Sequence, residues 1–171
     1  MVSRDKVCCF TGHQDIMPGE EQKIRTRVRY LVRDLMARDV IYFGVGGARG
    51  FDMLAAEYII HVREDVKNRV RLISVLPYPG YMDSWPEAER RRQEEIIRKS
   101  NKVVWVSREN HSGVFYERDR KLVDGSGVVI SYCHRVTGGT AYTVRYAMEQ
   151  GIPVMNASSW DLKQLGGWKK R

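Results

Sequence analysis

Cysteine, proline and long apolar runs are all scarce in this chain. Three cysteines stand among its 171 residues, Cys8 and Cys9 adjacent and Cys133 far along. That odd count, without a ligand spacing, is neither a disulfide framework nor a zinc pattern. A reducing cytoplasm is therefore the expected compartment. No apolar run approaches the roughly 18 residues of a membrane span, so no membrane partner is expected. Arg4, Asp5 and Lys6 are not followed by a long apolar h-region, and a secretory leader is not expected either. The four histidines are scattered and no acidic pair lies at metal spacing, so no metal is expected. No Gly-Lys-Ser/Thr occurs, which excludes a P-loop and the ATP hydrolysis it supports.

Positive charge is what the chain does have. It carries 29 Lys and Arg against 21 Asp and Glu, a net charge of +8. Such a balance suits a polyanionic partner or, equally, an arginine-rich solvated surface. Many of the arginines fall on two amphipathic helices. The length suits one domain with a sizeable core.

Apolar runs alternate with helical periodicity along the chain. Val7–Phe10, Val40–Phe43, Val70–Leu76, Val103–Val106, Val128–Ile130 and Pro153–Asn156 read as strands. Helices are expected over Glu20–Arg38, from the glycine turn to about Lys67, over Pro86–Ser100, Phe115–Val123 and Ala141–Gln150. Continuous apolar strands between helices indicate a single Rossmann-like, doubly wound α/β domain over residues 1–157. Its sheet is mainly parallel, with helices on both faces. Residues 158–171 read as a tail, mobile beyond Leu165 unless Trp160 and Trp168 dock. In such sheets ligands meet the carboxyl ends of the strands.

The chain is organised around Gly44-Val45-Gly46-Gly47-Ala48-Arg49-Gly50-Phe51-Asp52. Four glycines in seven residues join a strand to a helix. Glycine admits positive φ and close backbone approach. The helix that follows aims free N–H groups and the positive end of its dipole at the turn. That makes an anion site, with phosphate its usual occupant; a plain turn needs fewer glycines. A dinucleotide fingerprint is absent, because Arg49 stands where its third glycine belongs and the third strand ends in Leu76-Pro77 without an acid.

Gly46-Gly47-Ala48-Arg49-Gly50-Phe51-Asp52, with Ala55-Ala56 behind it, resembles the Gly-Gly-Ala-Arg-Gly-Ile-Asp…Ala-Ala motif of the DprA proteins. Gly138-Gly139-Thr140…Thr143…Ala147, with Gly151-Ile152-Pro153-Val154, resembles the matching helix start of DprA and of the LOG phosphoribohydrolases. Together they are similar to the SLOG superfamily. Thr11-Gly12-His13, Leu76-Pro77-Tyr78 and Leu122-Val123-Asp124 bring the chain nearest the small YpsA-like branch. The resemblance runs over about residues 5–156.

The resemblance implies a nucleotide or nucleotide-derived ligand at the carboxyl edge of the sheet. Its phosphates would meet Gly46, Gly47, Ala48, Arg49 and Gly50 on one turn and Gly138, Gly139 and Thr140 on the other. Thr11, Gly12 and His13 end the first strand at the same edge. Asp52 either caps its helix or touches the ligand. Tyr78, Tyr81 and Trp85 either stack on a base or pack the loop. LOG enzymes cleave an N-glycosidic bond with a glutamate in Pro-Gly-Gly-x-Gly-Thr-x-x-Glu. Aligning Gly-Thr on Gly139-Thr140 puts Thr143 at that glutamate, and the proline is missing too. Glu57 is a substitute acid, or else it faces solvent or holds an arginine. Binding or sensing without catalysis is therefore the expected function. The alternatives are a LOG-like N-glycosidase with a displaced acid and single-stranded nucleic-acid binding of the DprA kind. The basic residues on 23–38 and the Arg90-Arg91-Arg92 run would serve the latter. A homo-oligomer is implied as well.

Overall fold

The computed structural model describes residues 2–166. After a single 3-10 turn at Arg4–Lys6, strands and helices alternate as β1 (Val7–Gly12), α1 (Glu21–Ala37), β2 (Tyr42–Val45), α2 (Phe51–Asp65), β3 (Arg71–Leu76) and α3 (Glu87–Lys99). They continue as β4 (Lys102–Trp105), α4 (Val114–Asp124), β5 (Val128–Tyr132), α5 (Gly139–Glu149) and β6 (Val154–Asn156), with a last 3-10 turn at Leu162–Leu165. The six strands form one sheet in the order β4-β3-β2-β1-β5-β6, and every pairing is parallel. The doubly wound α/β fold read from the sequence is the fold observed.

Several boundaries differ from the apolar runs by one or two residues, and three of these differences bear on the site. Gly44 and Val45 belong to β2, because Gly44 lies in register with Cys9 on one side and Ile73 on the other. Thr11 and Gly12 extend β1 against Ser131 and Tyr132 of β5. Gly139 and Thr140 lie inside α5, whose first bond runs from Tyr142 N–H to the Gly138 carbonyl.

Successive strand residues point to opposite faces, and β1 shows the consequence. Cys8 and Phe10 pack with Ile24, Val28, Phe51 and Ile59 under α1 and α2. Cys9 faces the other way, onto Leu122, Val123 and Ala147 of α4 and α5. Helix α1 repeats Ile24, Val28, Val32 and Leu35 along one buried stripe. Each such side chain contributes roughly 2 kcal/mol of hydrophobic stabilisation. Phe51 opens α2 fully buried, its ring 5.8 Å from that of Tyr132 and edge-on to Phe10. A Cβ at Gly12 would overlap that ring, so β1 can pass over α2 only as glycine.

The chain beyond β6 returns to α5. Trp160 and Leu162 pack on Cys133, Ala141, Val144 and Leu165, and Leu165 is buried. Most of the stretch expected to be mobile, with Trp168, lies outside the described residues.

Candidate functional site

β1 and β5 are neighbours, yet the chain leaves them on opposite sides of the sheet. From β1 it runs outward through β2 and β3 to β4, then returns to β5 and continues to β6. Right-handed crossovers then place α1–α3 on one face and α4–α5 on the other. A crevice opens beyond the carboxyl ends where the direction reverses. It holds a cavity of about 400 Å³, lined from the end of β1, the start of α2, the middle of α4 and the β5–α5 junction.

The start of α2 contributes Ala48 and Asp52. The glycine turn behind them is buttressed from two sides. Arg118 Nη1 donates to the Gly46 carbonyl at 2.5 Å, and the Tyr81 hydroxyl donates to the Gly47 carbonyl at 3.0 Å. Gly50 has φ +76°, and a Cβ there would overlap the Gln14 backbone. Gly46, Gly47 and Gly50 thus shape the wall from behind. Asp52 is buried, and its Oδ2 accepts the Ala48 N–H at 3.2 Å. Its Oδ1 is also buried and has no partner among the described residues. Burial pushes the Asp52 carboxyl up to about 7, against the pull of Arg118 and the Ala48 N–H.

The end of β1 contributes Thr11, Gly12 and His13. His13 is buried, its ring 4.5 Å from that of His134, and its Nε2 has no partner among the described residues. Burial, with Arg135 and His134 nearby, lowers it to about 4, so the ring is neutral at physiological pH.

Helix α4 contributes two residues that the sequence reading did not single out. Arg118 and Asp119 are both buried, with Nε donating to Asp119 Oδ1 at 2.7 Å. Burial pushes the Asp119 carboxyl up, while Arg118 draws it down. Spacing carried a signal: Val114, Arg118 and Leu122 recur every four residues, as do Asp119 and Val123, so both ions stand on the apolar stripe.

The β5–α5 junction contributes Arg135, Gly139 and Thr140. Asn156 fixes it, its Oδ1 accepting the Cys133 N–H and its Nδ2 donating to the Cys133 carbonyl. Arg135 donates through both Nη atoms to Asp15, each at 2.9 Å, joining two loops at the mouth. Gly138 has φ +92° and hands over to α5, whose first N–H groups precede the first helical bond. No atom lies within 4 Å of where a Cβ on Gly139 would stand, and its φ is ordinary. Neither crowding nor backbone conformation asks for glycine there. The Thr143 hydroxyl donates to the Gly139 carbonyl at 2.8 Å.

Other sequence candidates stand elsewhere. Arg49 turns away and pairs with Glu89, Nη2 donating at 2.9 Å, with its guanidinium 5.9 Å from the centre of the Trp85 ring. Tyr81 is buried, with Tyr78, Trp85 and Trp105 edge-on around it, so these aromatics pack on one another beyond β3. Glu57 accepts from Arg92 at 2.8 Å on the α2–α3 surface. Among the described residues no group of three or more His, Cys, Asp or Glu side chains is placed to hold a metal ion, and no helix is long and apolar enough to cross a membrane.

No curated protein matches the chain. Solved structures that share its fold include two DprA proteins. DprA from Streptococcus pneumoniae is 19% identical with a TM-score of 0.61, over 87% of this chain and 49% of that one. DprA from Helicobacter pylori, described for its single-stranded DNA binding mode, is 21% identical with a TM-score of 0.61, over 88% of this chain and 64% of that one. The chain thus spans from about half to somewhat less than two thirds of these neighbours' length. A family model, YpsA, described as the YspA SLOG family, matches residues 13–155. That span holds both glycine turns and most of the cavity wall, and the chain belongs to the YspA SLOG family.

Proposed function

We propose that this chain binds a nucleotide or nucleotide-derived small molecule in the switch-point cavity, with a phosphate on the N-terminus of α5. One observation carries the reading. The cavity wall leaves an unfilled space at Gly139, beside the N–H groups of α5 that precede its first helical bond. Free N–H groups at the start of α5 and the Thr140 hydroxyl suit phosphate oxygens. Arg135 stands at the mouth to add a charge-assisted bond if it leaves Asp15.

The function is binding or sensing rather than bond cleavage. Thr143 stands at the LOG glutamate position and spends its hydroxyl on a backbone carbonyl. Glu57 is held by Arg92 outside the cavity wall. The homo-oligomer implied by the resemblance belongs to the same proposal, and sedimentation velocity reads it directly. Titration calorimetry with nucleoside mono-, di- and triphosphates, ADP-ribose and NAD tests the pocket. Saturable binding of one class by the wild type, lost in Gly139→Val, supports it; binding that survives Gly139→Val places the phosphate elsewhere.

Single-stranded nucleic acid is the second reading. It is favoured by Lys23, Arg29 and Arg33, exposed on α1 and without ion pairs among the described residues. The Arg90–Arg92 run gives less support, because these arginines face Glu94, Glu87 and Glu57.

A further inference from the structure

A second concavity lies on the α4 face of the sheet, outside the switch-point cavity. A helix about 10 Å across covers two strands set about 4.8 Å apart, so six strands take three helices on each face. Helices α1–α3 cover one face, whereas the other carries α4 and α5 alone among the described residues. Leu122 of α4 rests on Gly44 of β2, where a Cβ would meet its Cδ2 at 3.1 Å, so α4 sits over the middle of the sheet. The β3–β4 end of that face is left open. Register sets Ile73 beside Lys102 and Val75 beside Val104 there, all on the α4 side. Ile73, Val104 and Val106 are only half-buried. Between this floor and α4 runs a groove of about 240 Å³, in which Lys102 and Lys121 are the charged lining residues.

We propose that this groove docks an acidic amphipathic helix of a partner protein, which takes the third helix position over β3 and β4. Charge complementarity selects the partner. Lys102 and Lys121 are exposed and in no ion pair among the described residues, and no Asp or Glu lines the groove. The apolar stripe of the incoming helix covers Ile73, Val75 and Val104, and acidic residues along its edges meet the two lysines. Size argues against an enclosed small ligand, because the groove falls below the roughly 300 Å³ at which ligand pockets begin. A second copy is disfavoured as well. Pairing this face with itself sets the lysines against their own counterparts, in a chain of net charge +8. The inference stands apart from the nucleotide reading, since neither lysine belongs to the wall of the switch-point cavity.

The test uses two labelled helical peptides of about 18 residues, roughly five turns. Both carry leucine at every third or fourth position, one with glutamates flanking that stripe and the other with lysines. Fluorescence anisotropy against the full chain is expected to show at least about tenfold tighter binding of the glutamate peptide. In Lys102→Glu/Lys121→Glu the order inverts. Both lysines are exposed, and thermal denaturation checks that this variant folds as the wild type does. Lys23→Glu/Arg33→Glu on α1 changes the net charge by the same amount and keeps wild-type binding, which separates the groove from general attraction to a basic chain. Equal loss in the two variants, an unchanged preference in Lys102→Glu/Lys121→Glu, or no binding of either peptide overturns the proposal. Saturable binding of dodecanoate in place of the peptides assigns the groove to another occupant and overturns it too. So does wild-type self-association in sedimentation velocity that is lost in Lys102→Glu/Lys121→Glu.

Discussion

Arg118 Nη1 donates to the carbonyl of Gly46 at 2.5 Å. Helix α4, on one face of the sheet, thereby holds the glycine turn that launches α2 on the other. The same guanidinium neutralises Asp119 through Nε. One buried side chain therefore fixes two walls of the cavity.

Arg118→Met is expected to cost about 3–5 kcal/mol, because it strands Asp119 in the interior. The double variant Arg118→Met/Asp119→Leu should recover part of that loss, since Asp119 is no longer stranded. Urea denaturation of the three proteins checks it. A single variant as stable as the wild type would mean that the pair is hydrated rather than buried.

Asp52 gives stability a pH dependence of known sign. Its carboxyl titrates near 7 in the folded chain and near 3.9 in an unfolded one. Between those values the folded state binds more protons, so this group's contribution falls as pH rises from about 4 to about 7 and stays low above that. His13 acts oppositely, its folded value of about 4 lying below the unfolded value of about 6.5, so its contribution grows with pH across that window. The difference curve between Asp52→Asn and wild type isolates the carboxyl. It should climb in favour of the variant from pH 4 to 7, by on the order of 3 kcal/mol, and then level off. A flat difference curve contradicts the burial argument.

Two glycines should separate folding from binding. Gly50→Ala meets both positive φ and the Gln14 backbone, and a loss above about 2 kcal/mol is expected. Gly139→Ala meets empty space, so thermal denaturation should find it as stable as the wild type or slightly more so. Nucleotide affinity should nevertheless drop in Gly139→Ala, where a methyl group enters the phosphate position.

Arg49→Met should leave nucleotide affinity within about threefold, since one hydrogen-bonded charge would be worth more, and stability nearly unchanged. Its guanidinium is taken up by Glu89 and Trp85 at a half-exposed site. A large loss of affinity would show that Arg49 leaves Glu89 to meet the ligand.

Sequence period made the scaffold legible. The strands and most helices follow an apolar run or stripe, because burial of that surface drives both; α3 is the exception, burying only Gln93 and Ile96. Thr11–His13, Ala48, Asp52 and Gly139–Thr140 were legible too, since strand-end loops converge in any doubly wound sheet. Arg118 and Asp119 were legible only in their placing on the apolar stripe of α4, because charges on a short helix otherwise look like solvated surface. Arg49 is the opposite case. Its place in a glycine turn suggests phosphate, but its partner Glu89 lies forty residues away, and only the packing of α3 on α2 brings them together. Aromatics after β3 were ambiguous in the same way, and the Tyr81 bond to Gly47 is a contact no local pattern reveals.

The most direct test of the account is a thermal-shift comparison at low and high salt. Nucleoside phosphates, ADP-ribose and NAD are set against a single-stranded oligonucleotide. A pocket ligand at 100 times its dissociation constant adds roughly 2.7 kcal/mol, a rise on the order of 5–10 °C for a domain of this size. The account predicts such a rise with one nucleotide class, kept in high salt. A rise with the oligonucleotide alone, lost in high salt as counterion release requires, would contradict it.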